Sequence, residues 1–164
     1  MNDELLISYL NDHLAGSVIA IEMGEHCRDN HAGSELAEFL DGLLREIESD
    51  RTVLKDLIGR LGGDQDAAKK SAAWLGEKAG RLKLRGDAPA EIALSRLEQL
   101  EVLMLGIRGK LGLWDVLERL AATEERLQSF DWAKLQRSAA DQVERVDGQR
   151  IRASQEAFLS TGGA

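Results

Sequence analysis

The residues best suited to metal chemistry are concentrated in one short stretch, EMGEHCRDNH, which runs from Glu22 to His31. Glu22 and His26 are four residues apart, as are Cys27 and His31, so on a helix each pair could share a metal ion. The two pairs diverge by about 100° around the helix, whereas a tetrahedral zinc site needs three or four convergent ligands. The stretch therefore predicts a helix end with Cys27 inward and Glu22 and His26 facing solvent, not a metal site.

A second set of polar residues interrupts the apolar stripes of the expected helices. His13 lies on the stripe of the first helix, and Asp50 and Arg51 interrupt the stripe of the second. A turn near residue 32 would bring His13 level with them. Because a buried polar group without a partner costs about 1–3 kcal/mol, we expect a His13–Asp50 hydrogen bond.

Arg150 falls on the stripe of the last helix, level with Glu101 of the helix before it, so these two residues are expected to pair. Two interpretations stay open. The two pairs could be structural and fix the helix register. Alternatively, a polar cavity could hold water, an anion or a ligand. This cavity would be lined by His13, Asp50, Arg51, Glu101 and Arg150.

Motifs for other chemistries are missing from the sequence. It contains no G-x-S-x-G elbow, no P-loop and no G-x-G-x-x-G. The run GIRGKLG, Gly106 to Gly112, is spaced wrongly for phosphate binding and falls inside a helix. Its glycines therefore predict close helix packing, at about 1 kcal/mol each relative to alanine. We assign no catalytic residue, no metal ligand and no cofactor, and enzyme activity is not the favoured interpretation.

Composition narrows the class of protein. The chain has 164 residues, 43% of them apolar, which suits one domain with a sizeable core. A net charge of −8 argues against nucleic acid as a partner, because affinity for phosphates comes mainly from Lys and Arg. One cysteine cannot form an internal disulfide, so we expect a cytoplasmic location. No apolar run approaches the roughly 18 residues that a membrane span needs.

Helical periodicity accounts for most of the chain. Two long helices joined by a short turn must pack antiparallel, and this applies to the first pair and to the last pair. The roughly 25 residues between the pairs are enough to return along the bundle. We predict a single all-α domain, an antiparallel four-helix bundle with one long crossover that contains a short extra helix. The expected helices cover about 2–30, 35–61, 66–84, 89–121 and 131–158.

The crossover is strongly basic. Between Lys69 and Arg85 there are six basic residues and one acid, Glu77, although the chain as a whole is acidic. This segment could dock on its own acidic bundle, or it could contact an acidic partner. The residues expected to meet such a partner are Lys78, Arg81, Lys83 and Arg85.

Four stretches carry a resemblance to a known family. They are YLNDHLAG from Tyr9, REIESDR from Arg45, EKAGRLKL from Glu77 and LGIRGKLGLW from Leu105. With the helix lengths and the single crossover, they resemble bacterial members of the ferritin-like superfamily that have no assigned activity. The resemblance implies a ferritin-like bundle and raises the question of two metal ions.

A di-iron site of that superfamily needs a Glu-x-x-His from each of two helices and a carboxylate from each of the others. The histidines here are His13, His26 and His31, all in or just after the first helix. The usual ligand set therefore cannot form. We expect a non-catalytic bundle that acts through self-association, as a homodimer, or through protein interaction. The alternative is a bundle that binds a ligand or metal through the interior polar residues, and a catalytic oxidase is third.

Overall fold

The computed structural model describes residues 1–64 and 88–159. These residues form four long helices, which we label α1 (Asp3–Asn30), α2 (Glu35–Arg60), α3 (Pro89–Ala121) and α4 (Trp132–Leu159). A short 3-10 turn, Glu125–Leu127, connects α3 to α4, and the described ranges contain no strand. The all-α prediction is confirmed, and the four predicted long helices agree with the structure to within one residue at each end.

Several sequence expectations lie outside the described residues. The short helix expected over 66–84 is one of them. So is the basic surface proposed for an acidic partner, which consists of Lys78, Arg81, Lys83 and Arg85.

The helix ends follow from local side-chain chemistry. The Asn2 side chain accepts a hydrogen bond from the Leu5 backbone N–H at 3.2 Å, and the Ser34 hydroxyl accepts one from Ala37 at 3.3 Å. Each pairs one of the N–H groups that a helix start leaves free. Gly33 has a φ of 79°, a left-handed conformation that lets the chain reverse between α1 and α2.

The core is built from the apolar stripes expected of these helices. Every apolar residue of the predicted α2 stripe is buried, and so are the main members of the others. Trp114 of α3 packs against Trp132 of α4, with ring centroids 6.0 Å apart. The buried α2 stripe consists of Leu36, Leu40, Leu43, Ile47, Leu54, Ile58 and Leu61.

Contacts between the helices fix their directions. Asn11 near the start of α1 donates to the Asp64 carbonyl just beyond α2 at 3.0 Å, so α1 and α2 are antiparallel. Gln136 of α4 donates to Glu118 of α3 at 2.9 Å, and Arg150 pairs with Glu101 at 3.6 Å. The helices α3 and α4 are therefore antiparallel as well.

The helices α2 and α4 meet at few points, and these contacts also run antiparallel. Arg145 of α4 pairs with Glu46, and Arg60 donates to Ser129 just before α4. Since α2 and α3 both run opposite to α4, they are parallel to each other. The end of α2 and the start of α3 consequently lie at opposite ends of the bundle. None of the described helices combines the length and the apolar character needed to cross a membrane.

Candidate functional site

Three polar side chains from three helices meet inside the bundle. The Lys110 ammonium of α3 donates to the Asp50 carboxylate of α2 and, at 2.5 Å, to the Gln142 amide oxygen of α4. The Gln142 amide nitrogen donates to the same Asp50 oxygen at 3.3 Å. Gln142 is 0% exposed and Asp50 is 7% exposed. We call Asp50, Lys110 and Gln142 the central polar cluster.

Burial determines the electrostatics of this cluster. Desolvation lowers the pKa of the Lys110 ammonium from its ordinary value, because removal from water penalises the charged form. The nearby carboxylates of Asp50 and then Glu46 oppose that shift by favouring the cation, but they do not cancel it. Lys110 is thus a buried amine whose proton is held mainly by one carboxylate.

A cavity of about 390 Å³ opens beside the cluster, between α1, α2 and α3. Lys110 and Asp50 lie on its wall, with His13 and Arg51 among the other polar side chains. The rest of the wall is mostly apolar, as is usual for pockets that hold small organic molecules. The apolar part includes Tyr9, Ala20, Ile47, Leu54, Ile107, Leu113 and Trp114.

Glycines form part of the cavity wall. Gly16 of α1 and Gly106 and Gly109 of α3 lie there, and a Cβ built on any of them would meet nothing within 4 Å. The same is true of Gly112, which lies outside the cavity. The prediction that the GIRGKLG glycines allow close helix packing is therefore wrong for the described residues. At the cavity they leave space.

His13, Asp50 and Arg51, three of the five residues expected to line a polar cavity, lie on the wall of this cavity. The predicted His13–Asp50 hydrogen bond is wrong: Asp50 is bonded to Lys110 and Gln142, and no bond from His13 reaches it among the described residues. His13 instead packs edge-on against Tyr9, with ring centroids 4.7 Å apart.

The reason for this difference is helix register. Gly63, just beyond α2, lies against Ile7, and Gly24 lies against Leu44. Asp50 is therefore nearer the level of residues 17–20 of α1 than of His13, and the pairing is offset from the one expected for a symmetric turn. Burial of His13 lowers the pKa of its imidazole, and Asp12 partly opposes this effect.

Glu101 and Arg150 lie elsewhere. Their predicted pairing is confirmed at 3.6 Å, and Arg150 also donates to Asp147 at 2.8 Å. Neither Glu101 nor Arg150 belongs to the cavity wall, so this pair ties α3 to α4 at the bundle surface. The five residues expected to form one cluster thus divide into three at the cavity and two outside it.

Two buried donors on the cavity wall have no partner within the described residues. They are the Nε1–H of Trp114 and the Nε–H of Arg51, whose Nη1 group binds Glu48 at 3.1 Å. An unpaired buried donor costs about 1–3 kcal/mol. At Asp50, by contrast, the oxygen Oδ2 already accepts hydrogen bonds from Lys110 and Gln142.

The residues present do not fit the two metal ions that the ferritin-like resemblance raises. No three His, Cys, Asp or Glu side chains of residues 1–64 and 88–159 are grouped as ligands. At the centre, the Asp50 oxygen that would face a metal ion is bound by the Lys110 ammonium and the Gln142 amide. A divalent cation there would have to displace the Lys110 ammonium from the carboxylate that pairs with it.

The EMGEHCRDNH stretch is a helix end, as its spacing predicts. Cys27 is buried, while Glu22 and His26 are exposed. The His31 Nδ1 donates to the Cys27 carbonyl oxygen at 2.8 Å and so satisfies one of the carbonyls that end α1.

Lys110 and Gln142 belong to the candidate site but were not predicted from the sequence. A signal for both was available. Gln142 stands between Ala139 and Val146, and Lys110 between Ile107 and Trp114, each at helical spacing on an apolar stripe. The same criterion that selected His13 and Asp50 would have selected them.

Comparison of the chain with known proteins found no related protein. No family model, no curated protein and no solved structure matches the chain.

Proposed function

We propose that this protein binds a small, mostly apolar organic molecule that carries one polar group. The observation that supports the proposal is the cavity between α1, α2 and α3. Its volume of about 390 Å³ falls within the range of about 300–1,000 Å³ that is typical of ligand pockets. Its wall combines apolar side chains with a few convergent polar ones.

The glycines support the same proposal. A glycine inside a helix costs about 1 kcal/mol relative to alanine, and Gly16, Gly106 and Gly109 gain no close contact in return. Alanine at these positions would narrow the cavity. Space for an occupant is a physical benefit that would offset the lower helix propensity.

The polar end of the ligand would lie at Lys110. The Lys110 side chain is 15% exposed, compared with 8% for that of Asp50, so Lys110 is the more exposed side chain of the ion pair. A hydrogen-bond acceptor on the ligand suits the two buried donors of the wall that have no described partner, Trp114 Nε1–H and Arg51 Nε–H. An oxygen-bearing apolar compound is therefore the preferred class.

For the fold, we propose the ferritin-like topology. It is supported by the parallel direction of α2 and α3, which requires one long connection between the two antiparallel pairs. The four stretches that resemble bacterial members of that superfamily support it as well. A cytoplasmic location and a homodimer accompany this proposal as expectations.

The test of binding is a thermal-shift and calorimetric screen of the full chain. The panel consists of aliphatic and aromatic alcohols, ketones and carboxylates of graded length. We expect saturable binding of some members, with an increase in melting temperature, because a ligand of the native state stabilises it. Failure of every class to bind would overturn the proposal.

Two glycine variants provide a matched pair. Gly109→Leu places a side chain on the cavity wall, whereas Gly112→Leu adds the same side chain to the same helix outside the cavity. Both positions have open space around a Cβ, so both variants should fold. We expect Gly109→Leu to abolish binding and Gly112→Leu to retain it. Equal binding by the two variants would place the ligand elsewhere.

Self-association is the second candidate function. Leu105 is 65% exposed and Val116 is 39% exposed. The two residues are eleven positions apart, which is about three helical turns, so they lie on the same side of α3. We therefore propose this side of α3 as the contact with a second copy. Sedimentation of the wild type and of Leu105→Lys is the test: a dimer that the variant dissociates is expected, and a monomeric wild type would exclude it.

A further inference from the structure

We propose that Lys110 forms a Schiff base with the carbonyl carbon of an aldehyde or ketone bound in the cavity. This inference rests on the proposed ligand-binding function and names the substrate class. The ligand would be an apolar carbonyl compound whose carbon chain or ring occupies the apolar part of the cavity. Its carbonyl group would lie at the central polar cluster.

The position of Lys110 is the first support. Asp50 and Gln142 accept hydrogen bonds from two of the three N–H groups of the ammonium, and these bonds fix the nitrogen at the cavity wall. The third substituent position of the nitrogen has no partner among the described hydrogen bonds. An amine held in this way can present its lone pair to a carbonyl carbon once one proton has left.

Asp50 supplies the second requirement, a group that takes and returns that proton. Its carboxylate is hydrogen-bonded directly to the Lys110 nitrogen. It can accept a proton as the C–N bond forms and give it to the carbonyl oxygen, which becomes a hydroxyl group. General acid–base transfer of this kind requires direct hydrogen-bond contact, and the contact is present.

The reaction balances without any further reactant. The ammonium and the carbonyl compound give a protonated imine and one molecule of water: one C–N double bond forms, the C–O bond breaks, and two protons of the amine leave with the oxygen. The positive charge stays on nitrogen. The iminium N–H can therefore remain paired with Asp50, so the buried charge balance of the cluster is preserved.

Two properties of the site favour this chemistry over a purely structural ion pair. Desolvation lowers the pKa of Lys110, which increases the fraction of neutral amine available to attack. The mostly apolar wall also suits the carbon skeleton of an aldehyde or ketone. A lysine that served only to pair with Asp50 would need no cavity on its free side.

The experiment is reductive trapping on the full chain. The protein is incubated with benzaldehyde or octan-2-one, treated with sodium cyanoborohydride, digested and analysed by mass spectrometry for modification of each lysine. Lys134 of α4, which is exposed, serves as the internal reference. We expect modification of Lys110 to saturate with carbonyl concentration and to exceed that of Lys134 by at least about tenfold at low concentration.

Competition and cavity variants make the result specific. Benzyl alcohol and octan-2-ol have the same apolar parts but cannot form an imine, so an excess should suppress labelling of Lys110 and leave Lys134 unchanged. Gly109→Leu should suppress it as well, whereas Gly112→Leu should not. Labelling of Lys110 that neither the alcohols nor Gly109→Leu reduces would overturn the proposal.

The failure of this inference can be distinguished from failure of ligand binding. If ketones raise the melting temperature of the wild type but no adduct forms at Lys110, the cavity binds ligands and the Schiff base is excluded. If nothing binds, both proposals fail. Lys110→Arg, which keeps a cation beside Asp50, should bind ketones reversibly and lose the trapped adduct.

Discussion

The Lys110 ammonium on α3 is paired with the Asp50 carboxylate on α2, and the two residues come from parallel helices that belong to different antiparallel pairs. Gln142 on α4 contacts both. Three of the four helices therefore depend on one buried charge pair for the electrostatic balance at their centre, and substitutions there should have large and specific effects.

Removal of one partner should destabilise the protein strongly. Lys110→Met leaves the Asp50 carboxylate buried without a cation, and breaking a buried pair in this way costs about 3–5 kcal/mol. Urea denaturation of wild type and variant measures the difference in the free energy of unfolding.

The matched control removes both charges. In Asp50→Asn/Lys110→Met no ion remains to be desolvated, so stability should return close to that of the wild type or above it. If the double variant is as unstable as Lys110→Met, the loss arises from packing rather than from an unpaired charge.

The α3 glycines predict a gain in stability. Gly109→Ala and Gly112→Ala each add a Cβ that meets nothing, so each should stabilise the protein by up to about 1 kcal/mol through helix propensity. Gly33→Ala should do the opposite, by about 1 kcal/mol, because its φ of 79° disfavours a side chain. Thermal unfolding of the three variants provides the comparison, and a loss of stability in Gly112→Ala would contradict the open space around it.

His13 predicts a pH dependence. Burial lowers the pKa of its imidazole below the ordinary 6.5, so between these two values the unfolded chain binds a proton that the folded chain does not. This contribution to stability is complete above pH 6.5 and is lost as pH falls through the pKa of the folded state. The charged or titratable side chains around the same cavity are Tyr9, Asp12, Asp50, Arg51 and Lys110.

The control for this pH effect is His13→Gln, which keeps the other histidines in place. The difference in unfolding free energy between wild type and variant should decrease as pH falls below 6.5. A difference that stays constant with pH would show that His13 titrates alike in both states.

Cys27 should react slowly with thiol reagents in the native protein. Burial raises the pKa of its thiol to about 11 from the ordinary 9.0, which reduces the reactive thiolate by about a hundredfold before access is considered. A disulfide reagent added with and without urea measures the rates, and we expect at least that ratio between them. Fast labelling without urea would contradict the buried position.

The long helices were predictable because their signals are local. Ser34 before α2 and Gly33 in the turn mark a helix boundary by chemistry that needs no distant contact. The α2 stripe repeats at helical spacing and is buried over its whole length. These features depend only on neighbours along the chain.

The site was predictable only in part, because its side chains pair with residues of other helices and this pairing depends on how the helices are aligned. The positions of His13 and Asp50 on a helical wheel correctly predicted that both side chains point inward. Such positions carry no information on the register between helices. An offset between α1 and α2 was enough to give Asp50 other partners. The glycines of α3 show a similar limit, since spacing alone does not distinguish glycines that allow contact from glycines that leave space.

The arrangement of α2 and α3 has a consequence for folding kinetics. The α1–α2 and α3–α4 hairpins are closed by short loops, whereas the Asp50–Lys110 contact spans 60 positions and brings the two hairpins together. We expect contacts within each hairpin to form first, since local contacts are reached fastest, and the ion pair to form late, as the hairpins dock. Loss of a late contact mainly accelerates unfolding. The buried pair would thus determine how long the native bundle persists, rather than how quickly it is reached.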